Sequence, residues 1–220
     1  MLGETASIRD LKGGYRSFRP AQVDFPPVPT FSFTNLALIK DTTETKKSAL
    51  YLKTIQGCVD DVIETKETIT YETLFKSITS EHRILLLEGR PGCGKTTLTR
   101  KISKDWSEGV VLSFVKYLFL IPLRQFYDTP ITGLANILDY YDLRDLEAEI
   151  AGNAGQEACF IFDGLDEYSK KYTNAGRSWF ERLLRGEVLT SSIIIITSRP
   201  NASVELRKSV HTRGEVLGFL

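Results

Sequence analysis

The chain has 220 residues, and its 28 basic and 28 acidic residues give a formal net charge of zero. This length is enough to bury one substantial core, and the balanced charge provides no global field that would recruit nucleic acid or an anionic membrane. We therefore expect neither nucleic acid nor a membrane surface among its partners.

Cysteine usage and hydropathy predict the compartment. The three cysteines are widely spaced, and with only two histidines no zinc-binding pattern appears, so reduced thiols are expected. The first thirty residues carry charges and prolines where a signal peptide would have an apolar segment. The longest apolar stretch, residues 110–123, contains Lys116 and is too short to span a bilayer. We expect a soluble, cytoplasmic protein.

Two segments precede the predicted core. Residues 1–46 include four closely spaced prolines between positions 20 and 29 and lack periodicity, so an irregular, extended chain is predicted there. Apolar residues recur at near-helical spacing in residues 48–65, and a shorter pattern follows in residues 69–78. We therefore predict a small helical lead-in over residues 47–80.

From residue 83 onward, short apolar runs alternate with helical patterns. The predicted strands cover residues 83–88, 117–123, 158–162, 192–197 and 215–219. The predicted helices cover residues 95–106, residues 130–141 with Thr129 as N-cap and Pro130 in the first position, and residues 177–186 ended by Gly186. Continuous apolar strands separated by helices indicate a mainly parallel sheet covered on both faces, which is an α/β fold.

The segment GRPGCGKTT, residues 89–97, matches the phosphate-binding pattern G-x-x-x-x-G-K-[ST] between a predicted strand and a predicted helix. Its glycines let the backbone wrap around an anion, whose charge the loop amides and the helix N-terminus would meet. Lys95 adds a positive charge for the β- and γ-phosphates, and the Thr96 hydroxyl suits Mg²⁺. The predicted phosphate-binding residues are Gly89, Arg90, Pro91, Gly92, Cys93, Gly94, Lys95, Thr96 and Thr97. The alternative is a glycine-rich turn with a coincidental lysine.

The segment CFIFDGLDE, residues 159–167, is an apolar run followed by three carboxylates, a pattern typical of a Walker B strand. In open α/β sheets, ligands bind at the carboxyl edge of the strands, where these acids should lie. We expect Asp163 to hold Mg²⁺ and Glu167 to orient or deprotonate the attacking water. Asp166 either shares that role or helps to hold the metal. The alternative is that Asp163 and Asp166 form an Asx-type turn that caps the next segment.

The isoleucine-rich segment SIIIITSRPN, residues 192–201, predicts a buried strand whose polar end meets the same edge of the sheet. We expect Arg199, just after this strand, to sense the γ-phosphate. Alternatively, Arg199 caps a loop or pairs with a surface acid. Arg124, which follows another predicted strand, is assigned either to a solvated strand end or to regulation.

Together, the segments ILLLEGRPGCGKTTLTRKISKDW, YLFLIPLR, CFIFDGLDEY and SIIIITSRP resemble a NACHT domain, the nucleotide-binding module of the STAND class of P-loop ATPases. They occur in the family's order within residues 81–220. The resemblance implies a P-loop NTPase three-layer sandwich in which the strand bearing Arg199 lies between the acidic strand and the phosphate-loop strand. It also implies a cytoplasmic switch of the NOD-like receptor type in innate immune signalling. Such a switch binds ATP or ADP with Mg²⁺, hydrolyses ATP slowly, and self-associates or engages downstream signalling proteins.

By position, the residues that the family uses correspond to phosphate-binding Gly89 to Thr97, metal-binding Thr96 and Asp163, hydrolytic Lys95, Asp166 and Glu167, and the sensor Arg199. The family continues into helical and winged-helix domains, the latter with a nucleotide-contacting histidine, whereas this sequence stops at EVLGFL. We therefore expect either a fragment of a longer receptor or a truncated gene product, and His211 is not assigned the role of that histidine. Two other functions stay open: a conventional P-loop phosphotransferase or kinase, and an interaction module that binds nucleotide without hydrolysing it.

Overall fold

The computed structural model describes residues 6–16, 36–39, 68–69, 71–76, 78–79, 81–168 and 178–217. The strands in these ranges are β1 Leu36–Ile39, β2 Thr68–Ile69, β3 Ile84–Glu88, β4 Tyr117–Pro122, β5 Ala158–Asp163, β6 Ile193–Ser198 and β7 Thr212–Val216. The α-helices there are α1 Ala6–Arg16, α2 Tyr71–Lys76, α3 Lys95–Ser107, α4 Leu134–Asp139, α5 Glu147–Gly152 and α6 Trp179–Leu184. Short 3-10 helices cover Leu123–Phe126, Arg144–Leu146, Leu165–Glu167 and Leu206–Lys208.

These strands form one sheet in the order β2-β1-β7-β3-β6-β5-β4. The five strands from β7 to β4 are parallel, whereas β1 pairs antiparallel with β7 and β2 pairs antiparallel with β1. Every residue of β3, β5 and β6 is buried, as expected for strands covered on both faces. The predicted α/β fold is confirmed. Strand β6 separates the acidic strand β5 from the phosphate-loop strand β3, as the resemblance implied.

The last strand, predicted over residues 215–219, starts earlier than predicted, because β7 covers Thr212–Val216. Residues 218 and 219 of the predicted range lie outside the described residues. The apolar run EVLGF favours the later position, yet β7 pairs in parallel along β3 from its first residue. A strand with charged residues is accommodated here because the guanidinium of Arg213 lies 3.5 Å from the carboxylate of Glu88 on β3.

Helix α4 begins later than predicted, at Leu134 with Gly133 as its N-cap. The side-chain oxygen of Asn136 accepts hydrogen bonds from the backbone amides of Thr132 and Gly133 at 2.9 and 3.0 Å. This local bonding holds the preceding residues in a turn, so the prediction that Thr129 and Pro130 start the helix is wrong.

Two other helices agree closely with their predictions. Helix α3 starts at Lys95, as predicted, and ends one residue later than expected. Helix α6 is capped by Ser178, whose hydroxyl accepts a hydrogen bond from the Glu181 amide at 3.2 Å while the Glu181 carboxylate accepts one from the Ser178 amide. Gly186, with a φ of 68°, follows the end of α6 as predicted.

Helix α1 lies in a segment that was expected to be irregular. Its residues Ile8, Leu11 and Tyr15 are buried at helical spacing. The Tyr15 hydroxyl accepts a hydrogen bond from the Leu120 amide at 2.9 Å and donates one to the Leu118 carbonyl at 3.1 Å. Because β4 is an edge strand, these bonds cover backbone groups that face away from the sheet. The prediction of an irregular N-terminal segment is therefore wrong at α1 and at β1.

Within the predicted helical lead-in, residues 47–80, the structure has a helix at α2, but the prediction is wrong at β2, where Thr68–Ile69 forms a strand that pairs with β1. The longer pattern at residues 48–65 and the thiol of Cys58 lie outside the described residues, and the domain boundaries stay predictions.

Cys93 and Cys159 are free thiols, and burial raises the pKa of the Cys159 thiol. Across the parts of the chain that the structure describes, no helix is long and apolar enough to cross a membrane.

Candidate functional site

The phosphate loop connects β3 to α3 at the carboxyl edge of the sheet. Gly92 and Gly94 have φ values of 76° and 92°, a left-handed conformation that side chains disfavour. A Cβ on Gly89 would collide with the Cys93 sulfur and lie 2.9 Å from the Val216 carbonyl oxygen. The sequence pattern therefore places glycine where the backbone requires it.

The loop is held by its own backbone and by β6. The Gly89 amide donates to the Ser198 carbonyl at 3.1 Å, which fixes the start of the loop to the neighbouring strand. The Lys95 ammonium donates to the carbonyls of Gly89 at 2.8 Å and Arg90 at 3.0 Å, and it lies 3.9 Å from the Cys93 sulfur. The side chain of Lys95 thus folds over the loop, where a bound anion would meet it.

The outer surface of the loop is open to solvent. Arg90, Pro91 and Gly92 are exposed, and so are Thr96 and Thr97 in the first turn of α3. An anion can therefore reach the amides at the N-terminus of this 13-residue helix without displacing core residues.

Asp163 ends β5 at the same edge and is 9% exposed. Its Oδ1 accepts a hydrogen bond from the Thr197 hydroxyl at 2.7 Å, and that hydroxyl accepts one from the Gly164 amide at 2.9 Å. Thr197 belongs to β6, so the acidic strand and the phosphate loop are both attached to this central strand. The sequence predicts that Thr197 lies at this edge, but not that it holds Asp163.

Asp166 and Arg199 form an ion pair. The Arg199 Nε lies 2.7 Å from Asp166 Oδ2, and the Arg199 amide donates to Asp166 Oδ1 at 3.3 Å. The Asp166 side chain is mostly buried, whereas the Arg199 side chain is 54% exposed. The structure thus joins two predicted site residues to each other, and the pairing of Arg199 with an acid is the alternative that the sequence left open.

Glu167 ends the 3-10 helix that follows Gly164 and is exposed. A Cβ on Gly164 would lie 3.3 Å from the Glu167 carboxylate, so this side chain folds back over the start of its own turn. Among the described residues, no hydrogen bond or ion pair connects Lys95 or Thr96 with the acids of this turn. The two halves of the site share an edge and a supporting strand rather than direct contacts.

Comparison with known proteins decides the family. The family model described as NACHT domain matches residues 83–220. This chain belongs to the NACHT family. It is 28% identical over 147 residues to NACHT, LRR and PYD domains-containing protein 5 of Mus musculus. It is 26% identical over 208 residues to Nucleotide-binding oligomerization domain-containing protein 2 of Bos taurus, and 35% identical over 131 residues to Protein NLRC5 of Mus musculus.

These alignments cover 60%, 84% and 54% of this chain but 12%, 20% and 7% of the respective relatives. The chain therefore spans less than a quarter of the length of each of these three. A solved structure described as Structure of C. elegans PCH-2 aligns with 66% of this chain and 40% of that chain, at 16% identity and a TM-score of 0.42.

The oxygen atoms at the edge of this NACHT domain fit a magnesium ion. Asp163 offers a carboxylate of which Oδ1 is held by Thr197, and Thr96 offers an exposed hydroxyl. Both are the hard oxygen ligands that Mg²⁺ prefers, and this ion commonly takes one or two protein ligands, with waters and phosphate oxygens completing its shell. In the described ranges there is no group of three or more His, Cys, Asp or Glu side chains that could hold a metal ion, so waters and phosphate oxygens would have to complete the shell.

Sequence reasoning missed a buried acidic residue beside the phosphate loop. Glu88, the last residue of β3, is 4% exposed and contacts Ser203, Arg207 and Arg213. A carboxylate that ends a buried apolar strand signals a need for basic partners, but their positions depend on the fold.

Arg124 lies exposed in the 3-10 helix after β4, so its predicted alternatives stay open.

Proposed function

We propose that this NACHT domain binds ATP and ADP with Mg²⁺ and hydrolyses ATP slowly, as the switch of a NOD-like receptor type signalling protein. One observation carries the proposal: β6 holds both halves of the candidate site. Its Ser198 carbonyl accepts the Gly89 amide at the start of the phosphate loop, and its Thr197 hydroxyl binds Asp163. A loop suited to phosphate and a carboxylate suited to a metal are thereby fixed to one strand.

Phosphate binding is assigned to the loop from Gly89 to Thr97. The backbone amides and the N-terminus of α3 supply partial positive charge, and Lys95 supplies a full one. The ammonium already lies among the Gly89 and Arg90 carbonyls. On binding, it exchanges part of this bonding for phosphate oxygens, which form stronger hydrogen bonds because the acceptor is then charged as well as the donor.

Thr96 and Asp163 would hold the magnesium ion, which supplies positive charge against the phosphate oxygens. Glu167 is the residue to accept a proton from the attacking water, because it is exposed one turn after Asp163 and its carboxylate has no hydrogen-bond or ion-pair partner among the described residues. Asp166 acts through Arg199, whose Nε it binds. This pairing leaves the terminal nitrogens of the guanidinium to reach the γ-phosphate.

The switch role extends the proposal beyond the site. One relative is named for nucleotide binding and oligomerization, and we extend both properties to this chain. In this account the ATP-bound form self-associates or engages downstream signalling proteins in the cytoplasm, and the ADP-bound form is the resting state. Innate immune signalling is the corresponding biological role.

Product analysis after incubation with Mg-ATP tests the function. We expect slow formation of ADP and inorganic phosphate in the absence of any acceptor molecule. Phosphoryl transfer to an added small acceptor would instead identify a phosphotransferase. Binding without any product would identify a nucleotide-dependent interaction module and contradict the hydrolytic part of the proposal.

A further inference from the structure

An ionic network built on the buried carboxylate of Glu88 and two half-buried arginines lies directly beneath the phosphate loop. The carboxylate of Glu88 accepts a hydrogen bond from Arg207 Nε at 3.0 Å, and Arg207 Nη2 lies 2.9 Å from the same oxygen. Arg213 Nη2 lies 3.5 Å from the other oxygen, and the Ser203 hydroxyl also donates to the carboxylate. Glu88 immediately precedes Gly89, so the network is attached to the base of the loop.

The same network holds the turn that carries Arg199. Ser203 Oγ lies 3.1 Å from the Arg199 carbonyl oxygen, and Arg207 Nη2 donates to the Pro200 carbonyl at 2.8 Å. The Ala202 amide closes the turn by donating to the Arg199 carbonyl at 3.0 Å. Both residues that bind Glu88 from this segment therefore also contact the backbone at or next to Arg199.

Stability alone does not account for this arrangement. Taking the carboxylate of Glu88 out of water, and two guanidinium groups partly out of it, costs free energy, and apolar residues of similar volume often stabilise a buried ion-pair position as well or better. What the ions provide is orientation, since a guanidinium that donates through two nitrogens to one carboxylate is fixed in angle as well as distance. The Arg199 side chain is held separately, by Asp166.

We infer that Glu88 is a positioning residue. Through Ser203 and Arg207 it fixes the turn that carries Arg199 relative to the phosphate loop, and it thereby sets the affinity of the domain for ATP relative to that for ADP. The inference rests on the proposed function, because it assigns Arg199 to the γ-phosphate. It adds a residue whose side chain faces the core and that no sequence pattern assigned to the site.

The test compares the Glu88→Gln variant with the parent chain in equilibrium binding of Mg-ATP and of ADP. If Glu88→Gln misplaces the charge-assisted contact of Arg199 with the γ-phosphate, the ATP dissociation constant should rise about tenfold. The ADP dissociation constant should stay within about twofold of the parent value. In the Arg199→Gln background, Glu88→Gln should have no further effect on ATP binding, because the contact it positions is already gone. Glu149→Gln, which removes an ion pair with Lys116 near the start of β4, is the matched control and should leave both constants unchanged.

Urea unfolding shows first whether Glu88→Gln is folded. If Glu88→Gln does not fold, Ser203→Ala replaces it in the test, because this variant removes only one hydroxyl. We expect Ser203→Ala to raise the ATP dissociation constant about threefold and to leave the ADP constant unchanged. A folded variant in which the ratio of the ATP and ADP dissociation constants is unchanged would overturn the inference, whether both affinities stay the same or both fall equally. Both results leave the proposed function standing, whereas a parent chain that binds neither nucleotide overturns both.

Discussion

Thr197 donates a hydrogen bond from its hydroxyl to Asp163 Oδ1 at 2.7 Å, at the carboxyl edge of the sheet. The same hydroxyl accepts the Gly164 amide, so its single proton is committed to the carboxylate. The next residue, Ser198, accepts the Gly89 amide at the start of the phosphate loop. One strand thus supports two turns that lie some seventy residues apart in the sequence.

Replacing Thr197 by valine keeps the shape of the side chain but removes the donor to Asp163. We expect the free energy of unfolding to fall by about 1–3 kcal/mol, because a buried carboxylate loses a partner. The affinity for Mg-ATP should fall as well, since Asp163 is no longer held. Urea unfolding and a Mg-ATP titration measure the two effects. Thr197→Ser keeps the hydroxyl and serves as control. An unchanged affinity for Mg-ATP in Thr197→Val would show that the hydrogen bond from Thr197 to Asp163 does not contribute to nucleotide binding.

Glu167→Gln keeps the size of the side chain and removes its ability to accept a proton. We expect ATP hydrolysis to fall by at least about a hundredfold, the usual contribution of a general base, with ATP affinity largely retained. Single-turnover hydrolysis and equilibrium binding distinguish the two effects. Glu108→Gln, an exposed change after the C-terminus of α3, is the control. Equal hydrolysis rates in the parent and in Glu167→Gln would show that Glu167 is not the catalytic carboxylate.

Tyr15→Phe tests the attachment of α1 to the sheet edge. The hydroxyl bonds the backbone of Leu118 and Leu120, and burial raises its pKa, so it stays protonated. Its loss should lower the free energy of unfolding by about 1–3 kcal/mol, because buried backbone groups lose a partner. Urea unfolding measures the change, with Tyr127→Phe, an exposed position, as control. Equal stability in the two variants would mean that α1 does not depend on this hydroxyl.

His211 predicts a pH dependence of stability. Its Nδ1 accepts a hydrogen bond from the Ile84 amide at 3.1 Å, so this nitrogen carries no proton. Partial burial, then the nearby charges of Arg83 and His82, lowers the pKa of His211. The unfolded state, with a histidine pKa of about 6.5, therefore binds the proton more readily. The contribution of His211 to stability is complete above about pH 6.5 and is lost as the pH falls through the lowered folded pKa.

The variant His211→Asn checks this dependence, since its amide oxygen can accept the Ile84 amide without titrating. Unfolding free energies measured between about pH 5 and 8 should show a flatter slope on the acidic side in the variant than in the parent. Parallel curves would assign the acidic loss of stability to other groups.

The phosphate loop and the central strands could be predicted because each depends on local sequence. Gly92 and Gly94 are required by the left-handed backbone of the loop itself. The apolar runs of β3, β5 and β6 are continuous because these strands are buried on both faces. The position of β6 between β3 and β5 is not a local property, and it came from the resemblance to a known family.

The remaining features depend on contacts between distant parts of the chain. Helix α1 contains Gly13 and Gly14, which lower helix propensity, and it is stabilised by packing Ile8, Leu11 and Tyr15 on the core. The charged strand β7 depends on Glu88, whose partner Arg213 lies 125 positions later. The shift of β7 does not follow from the pattern of its own residues, whereas the helical spacing of Ile8, Leu11 and Tyr15 is a signal for α1 that the prediction of an irregular segment passed over.

The pairing of Asp166 with Arg199 shows the same limit within the site. The two residues are 33 positions apart and meet only because β5 and β6 are neighbours. The sequence could assign each to the edge of the sheet, but it could not decide whether Asp166 serves a metal, a water or a side chain.

Equilibrium titration of the chain with Mg-ATP, compared between the parent and Lys95→Ala, tests the central claim most directly. Lys104→Ala, an exposed lysine on the same helix, is the matched control. We expect saturable binding by the parent and by Lys104→Ala. We expect an affinity weakened at least about tenfold in Lys95→Ala, because a charge-assisted contact to phosphate contributes about 1.5–3 kcal/mol. Equal affinity in all three proteins, or no binding by the parent, would contradict the proposal that the phosphate loop of this chain binds ATP.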